Sequence, residues 1–324
     1  MAYEAGALKA LHDAGLDLAR ADVIVGTSAG SIIGSYLACG WSAEDFYEYA
    51  HKRHRDVSKD PVDDQETVGQ LFVPMWETKR QRVQRSIGSM FAIASSRGFW
   101  RGGRHGRVPP EALRRAFPAG LYSTERTRQR FGEDLPQEWP RDNLFICAAD
   151  LYSGKLAPFG RPGAPEANLP DAVLASTAIP GLFPPVRIGD RYYVDGGIIS
   201  ATSLNLAVEE GCELILCVAP LGYRGEGSLF AVDPRVWPAM ASRQIFARSL
   251  RREVREAREK GCEVLVVRPW VDELAALGMN AMRHFDRASI TDAARDGARR
   301  LIDSHEDHPV LAAFKRRDRE EQVG

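Results

Sequence analysis

Two short runs carry residue types whose spacing could do chemistry: Gly26-Thr27-Ser28-Ala29-Gly30 and Asp195-Gly196-Gly197. The first is a Gly-x-Ser-x-Gly pattern between the apolar stretch Val23-Ile24-Val25 and a helix-like segment from Gly30 to Cys39. At a strand-to-helix junction such a turn is a nucleophile elbow. Its glycines tolerate close approach of strand and helix, and the serine is thrust out at the end of the sheet. The amino terminus of the following helix offers unpaired N–H groups and a positive dipole end. An oxyanion beside Ser28 would be favoured there, with the backbone of Ala29 as a donor. Serine is a poor nucleophile until a base takes its proton. Asp195 is the leading candidate for that base, because Gly196 and Gly197 leave the backbone free to bring a carboxylate close to another loop. Plainer readings stand beside these: a glycine turn with a buried or phosphate-binding serine, and Asp-Gly as ordinary turn chemistry. A Walker loop is excluded, because no Gly-Lys-Ser/Thr follows at the required spacing.

A Ser-His-Asp triad is the rival. The order Ser28, Asp195, then His284 or His305 would suit an α/β-hydrolase. That fold places several strands before its elbow, and here there is room for one at most. His284 sits in an Arg-rich helical context, and His305 and His308 in a polar segment, so each reads as a surface histidine.

The elements that must position Ser28 and Asp195 follow from periodicity. Tyr3, Ala7, Ala10, Leu11 and Ala14 form one helical stripe ended by Gly15. Val23–Val25 is a short continuous apolar run, as expected of a strand buried on both faces. Gly30, Gly34 and Ala38 lie four apart, which predicts close packing of the second helix on the sheet. Leu144–Ala149, Leu214–Val218 and Val264–Val267 read as further core strands. Val186–Ile188 and Arg191–Val194 flank Gly189-Asp190, a two-residue hairpin signal. Residues 234–260 read as a long charged helix, and 315–321 as a solvated helix end. The pattern is α/β. It divides into a core over 1–220, with 51–107 as an inserted basic cap, and an α/β extension of the same domain over 221–324.

At this point the chain resembles the patatin-like phospholipases, serine acyl hydrolases with a Ser–Asp dyad. The resemblance is carried by Ala2–Leu11, Gly26–Gly30, the run Ala175-Ser176-Thr177-Ala178-Ile179-Pro180-Gly181-Leu182-Phe183-Pro184-Pro185, and Tyr193-Val194-Asp195-Gly196-Gly197. Leu144–Ala149 with Asp150 and Ser153-Gly154-Lys155 matches a further family segment. The likeness implies a three-layer α/β/α fold with a central, mostly parallel sheet. It also implies Ser28 as nucleophile, Asp195 as its direct base, no metal or other cofactor, and an acyl ester of a lipid as substrate. Family members carry a Gly-Gly-Gly-x-Arg/Lys-Gly loop, whose N–H groups form the oxyanion hole, just before the helix matching Ala2–Leu11. This sequence starts at Met1, after the place where that loop would end. The expectation is therefore that Met1 is an internal methionine of a longer product; the alternative is an impaired, lipid- or partner-binding member.

Lys79 to Arg107 holds eight Lys or Arg and no acidic residue, with Val83, Ile87, Met90, Phe91 and Ala94 as a helical stripe followed by Phe99 and Trp100. Lys79, Arg80, Arg82 and Arg85 could meet anionic headgroups while the apolar residues reach the acyl layer. The other reading packs the stripe on the core and leaves the basic face in water. With 43 basic against 44 acidic residues, the net charge of −1 gives no global drive onto nucleic acid, and no recognition motif accompanies the basic stretch. The 44% apolar and 27% charged composition is that of a globular chain. Five scattered cysteines without ligand spacing argue against zinc and a disulfide framework. No secretion signal is visible, so the reading is cytoplasmic, at the membrane periphery. Oligomeric state is not written in the sequence.

Overall fold

The computed structural model describes residues 1–16, 18, 21–51, 73–100, 111–224, 237–277 and 287–321. The first half runs α1 (Ala2–Asp13), β1 (Ile24–Thr27), α2 (Ala29–Ala38), α3 (Ala43–Ala50), α4 (Lys79–Trp100), α5 (Glu111–Ala116), α6 (Glu125–Asp134) and β2 (Leu144–Asp150). Then come β3 (Leu156–Phe159), α7 (Leu169–Ser176), β4 (Val186–Ile188), β5 (Arg191–Asp195), α8 (Leu204–Glu209) and β6 (Leu214–Val218). The chain closes with α9 (Trp237–Glu259), β7 (Glu263–Val267), α10 (Leu274–Leu277), α11 (Arg287–Ser304) and α12 (Pro309–Glu321). These elements form two compact units. One comprises Met1–Asp22, Gly40–Pro61 and Leu204–Gly324; the other comprises Val23–Cys39 and Val62–Ser203.

In the second unit a five-stranded sheet is built around β2, whose seven residues are all buried. A strand covered on both faces must be apolar throughout, which is why Leu144–Ala149 does not alternate. β1 pairs with β2 in parallel, while β3 and β5 pair with it antiparallel, as β4 does with β5. The sheet is thus mixed, not mostly parallel as expected. The reason is connection length: Leu151–Lys155 joins β2 to β3 and Gly189-Asp190 joins β4 to β5, and neither is long enough for a crossover.

The registers fix where strands end. Ile146 is opposite Gly26 of β1 and also Phe159 of β3, so β1 and β3 lie on opposite edges of β2. Ala148 is opposite Ala157 of β3 and also Asp195 of β5, so β5 lies opposite β3 as well. β1 and β5 therefore share one edge of β2 and run toward each other, β1 stopping at Thr27 opposite Cys147 and β5 at Asp195 opposite Ala148.

α2 lies on this sheet through Gly34, where a Cβ would stand 3.1 Å from Cγ2 of Ile24 and 3.5 Å from Cδ1 of Leu144. At Gly30 a Cβ would meet no described atom within 4 Å, so that glycine does not serve the close packing expected of it. α4 is also turned differently from one of the two readings of its stripe. It docks by small residues: a Cβ on Gly88 would sit 2.4 Å from the carbonyl oxygen of Phe117, and the backbone N–H of Gly120 donates to Ser89 Oγ at 3.1 Å. Val83, Met90 and Phe91 face outward, at 58%, 69% and 44% exposure. Residues 52–72 and 101–107 of the expected cap, with the side chains of Ala94, Phe99 and Trp100, lie outside the described residues.

In the first unit β6 and β7 pair in parallel. Alternation sends Ile215, Cys217, Val264 and Val266 toward Leu204 of α8 and Leu250 and Ala257 of α9. Leu216, Val218, Leu265 and Val267 point the other way, onto Tyr3, Ala7 and Leu11 of α1, Ala298 and Leu301 of α11, and Val310 and Leu311 of α12. This unit is a helix–sheet–helix sandwich. α1 and α11 come very close at Gly6, where a Cβ would fall 2.0 Å from the Thr291 carbonyl oxygen. No helix among the described residues is long and apolar enough to cross a membrane.

Candidate active site

The junction of β1 and α2 holds Ser28 at φ 54° and ψ −122°. An L-residue there is strained, typically by roughly 1–3 kcal/mol, and persists only if its surroundings over-determine it. They do so through hydrogen bonds. The Ser28 N–H donates to Ser176 Oγ at 3.0 Å, and the Ser176 hydroxyl donates to the Cys147 carbonyl at 2.7 Å. The Ser28 carbonyl accepts from the Ser31 N–H at 2.9 Å and from Ser31 Oγ at 2.6 Å. Gly26 is needed for contact with the helix, since a Cβ would lie 2.6 Å from the Gly30 carbonyl oxygen. Thr27, the last residue of β1, exchanges a 2.9 Å hydroxyl hydrogen bond with Ser203.

Asp195 ends β5, its N–H donating to the Ala178 carbonyl at 3.0 Å. Its Oδ1 accepts the Gly197 N–H at 2.8 Å, and the Ser28 side chain lies close enough to the same carboxylate to favour its ionised form. Gly196 is where the turn presses on β2: a Cβ would stand 2.5 Å from the Cys147 carbonyl oxygen. Asp195 is buried, at 6% exposure. Burial pushes its carboxyl up to about 6 against the partial relief that the nearby Ser28 side chain and the Gly197 hydrogen bond give the ionised form. Beside Ser28, α2 begins with Ala29 and Gly30, and the open space at Gly30 lies on that flank. The geometry can therefore do proton transfer between a hydroxyl and a buried carboxylate, next to a helix amino terminus.

The Gly-x-Ser-x-Gly run and the Asp-Gly-Gly turn thus lie side by side, a Cβ on Gly196 falling 3.3 Å from Thr27 Cγ2. Ser176 and Ser31 were not assigned a part. Ser176 stands in the quoted Ala175–Pro185 run, but its partners are backbone groups distant in sequence. Asp150, noted only as part of a family segment, closes the β2–β3 turn. It accepts from the Tyr152 N–H and the Ser153 hydroxyl, both at 2.8 Å, and from Arg191 Nη1 at 2.6 Å.

Among the described residues no histidine is hydrogen-bonded to Ser28 or Asp195. The His305 ring faces Ser304, the Leu301 carbonyl and Arg224, and the His308 ring faces the Val310 N–H. His284 lies outside the described residues. Of the four basic residues proposed for a lipid surface, Lys79, Arg80 and Arg82 are exposed on the first turn of α4. Arg85 is not available in the same way, because it turns inward and donates to the Gly120 carbonyl at 3.2 Å. Arg82 sits 5.7 Å from the ring centre of Trp76.

A stretch of 88 residues, 27% of this chain, is 33% identical to NTE family proteins of Mycobacterium bovis and Mycobacterium tuberculosis, themselves described as uncharacterized. The match spans 14% of the length of those relatives. Among solved structures, VipD from Legionella pneumophila aligns with 94% of this chain and 65% of its own, at a TM-score of 0.44 and 15% identity. The family model described as patatin-like phospholipase matches residues 1–208. A match from the first residue past the Asp-Gly-Gly turn, over well more than half of the sequence, means that the chain belongs to the patatin-like phospholipase family.

Proposed function

We propose that this protein hydrolyses acyl esters of lipids (phospholipid, lysophospholipid or acylglycerol) through an acyl-enzyme on Ser28, with Asp195 as general base and then general acid. The observation that carries the reading is the buried Asp195 carboxylate, held by the Gly197 N–H with the Ser28 side chain beside it and raised to about 6. A base with a pKa near the working pH is both deprotonated and able to hold the proton it takes. Asp195 removes the hydroxyl proton as Ser28 Oγ bonds to the ester carbonyl carbon. The carbonyl oxygen takes the negative charge near the N–H of Ala29 and the positive end of α2. Collapse breaks the bond to the leaving alcohol, and Asp195 returns the proton to that oxygen. Water, deprotonated by the same carboxylate, then attacks the acyl-enzyme, and the fatty acid leaves as Ser28 regains its proton. The outward Val83, Met90 and Phe91, with Lys79, Arg80 and Arg82 beside them, support a membrane surface as the place where substrate is met.

Ser28→Ala and Asp195→Asn test the assignment. Each is expected to fold normally and to lower hydrolysis of a lipid ester by roughly 10²–10⁴ or more. Ser28→Ala should also lose labelling by a fluorophosphonate. The double variant should be little worse than either single one, because the pair acts as a unit. Near-normal turnover in Asp195→Asn would overturn the assignment. A wild-type chain that binds lipid vesicles but shows neither labelling nor turnover would make the protein a binding member instead.

A further inference from the structure

Within the unit that contains β6 and β7, a cavity of about 620 Å³ is walled by Val264, Leu265 and Val266 of β7 and by no residue of β6. It therefore opens along the edge of β7 that β6 leaves free. Arg251, Arg255 and Arg258 reach it from α9, at the i, i+4, i+7 spacing of one helical face, above a floor of Leu250 and Val254. Arg224 and Arg268 follow the carboxyl ends of β6 and β7, where open α/β sheets receive their ligands. His305 and His308 complete the wall from beyond α11.

This wall holds five guanidiniums, two imidazoles and a single carboxylate, Glu259, which stands 3.8 Å from Arg255. Arg258 is engaged, donating to the Val264 carbonyl at 3.0 Å. Arg224 is aimed by stacking on Trp270, 4.8 Å from the ring centre, with His305 Nε2 3.4 Å from its Nη2. No carboxylate among the described residues pairs with Arg224, Arg251 or Arg268. Arg268 is half-buried, and its charged form is disfavoured by that burial and by Arg224, Arg251 and Arg258 around it. Like charges gathered in a recess cost free energy when it is empty, and an anion among them removes that cost.

We propose that this cavity binds a multiply phosphorylated ligand, a soluble polyphosphate ester or the headgroup of a phosphorylated lipid, held by Arg224, Arg251, Arg255 and Arg268. Guanidinium forks match phosphate oxygens in paired hydrogen bonds, which an array of arginines exploits better than lysines would. The volume falls in the range of small-molecule sites, about 300–1,000 Å³, and is far more than one phosphate fills. An acidic peptide added as a strand to the edge of β7 is disfavoured, because Arg258 already occupies the Val264 carbonyl.

The test uses the full chain and reads binding, so its outcome is independent of any hydrolysis at Ser28. Tripolyphosphate is titrated calorimetrically at fixed ionic strength into the wild type and into Arg251→Gln/Arg255→Gln. Both substitutions fall on exposed positions of α9, so folding should be preserved. The wild type is expected to bind and to melt at a higher temperature with the ligand. The double variant should lose about tenfold or more in affinity. Arg268→Gln should melt at a higher temperature than wild type without ligand, since like-charge repulsion is relieved, and should gain less from tripolyphosphate. Phosphatidylcholine vesicles with and without a phosphatidylinositol bisphosphate distinguish the two sources. Capture by the bisphosphate vesicles that tripolyphosphate displaces, and that Arg251→Gln/Arg255→Gln loses, identifies a lipid headgroup; tripolyphosphate binding without vesicle capture identifies a soluble ligand. Equal affinity in the double variant, or heats that sulfate at the same ionic strength reproduces, would overturn the proposal. So would binding of a polyglutamate peptide where tripolyphosphate fails.

Discussion

At the residue scale, the raised carboxyl of Asp195 has two consequences that pull in opposite directions. In the base role proposed for it Asp195 must be ionised, so hydrolysis should climb with pH through about 6 and level off above it. For folding the sign is reversed. A carboxyl whose folded pKa lies above its unfolded value adds stability below about 4, and that stability is lost as pH rises through about 6. Asp195→Asn should therefore be inactive yet more stable than wild type at pH 8, by at most about 3 kcal/mol, and indistinguishable from it near pH 4. Urea midpoints at the two pH values check this. Ser176 acts on the other partner. Ser176→Ala leaves the Ser28 N–H and the Cys147 carbonyl without their hydroxyl, which should cost about 1–3 kcal/mol. It should also lower kcat more than it changes KM, because the elbow loses one of its ties. Ser28 and Asp195 could be proposed from sequence because their motifs carry local backbone demands. Ser176 could not, since nothing around it reveals that its hydroxyl links the turn after β1 to the middle of β2.

The elements tell a similar story about what apolarity can and cannot say. Continuous apolar runs located β2, β6 and β7, and turn residues located the β4–β5 hairpin, because burial and φ are local demands. Strand direction was misjudged, because it depends on connection length and on which edge is free. For α4 the stripe of Val83, Met90 and Phe91 marked a helix correctly but did not say which side faces the protein. Gly88 and Ser89 decide that, by allowing backbone contact with Phe117 and Gly120. Replacing Lys79, Arg80 and Arg82 together with Gln should weaken binding to anionic vesicles by about 1 kcal/mol per residue. Hydrolysis of a short soluble ester should stay unchanged. Vesicle binding that is unaltered, or indifferent to salt, would reduce this face to a solvated one. Arg85 does not belong in that set, since its loss would release the Gly120 carbonyl.

Across the whole molecule, the site draws on one compact unit while the other carries its own titrating core. Glu273 is buried at 6% exposure, with one oxygen 2.9 Å from Arg300 Nη2 and the other without a partner among the described residues. Burial raises its carboxyl to about 7. Its contribution to stability is full below about 4.5 and fades as pH rises through about 7, by on the order of 1–3 kcal/mol. Thermal melts of Glu273→Gln from pH 5 to about 8.5 should lack that decline, and a wild-type curve flat over the same range would refute it. Such a group is invisible in sequence, because Glu273 becomes buried only when Gly297 of α11 seats its carboxylate. The meeting of β1 and β5 on one edge of β2 has a different reach. Both strands are measured against the same seven residues, so β2 serves as a gauge block that sets the gap between Ser28 and Asp195. One residue added to or removed from that block would swing a side chain to the opposite face. Loops gained or lost elsewhere between positions 28 and 195 leave the gap untouched, so the length of that intervening chain is free to vary while the length of β2 is not.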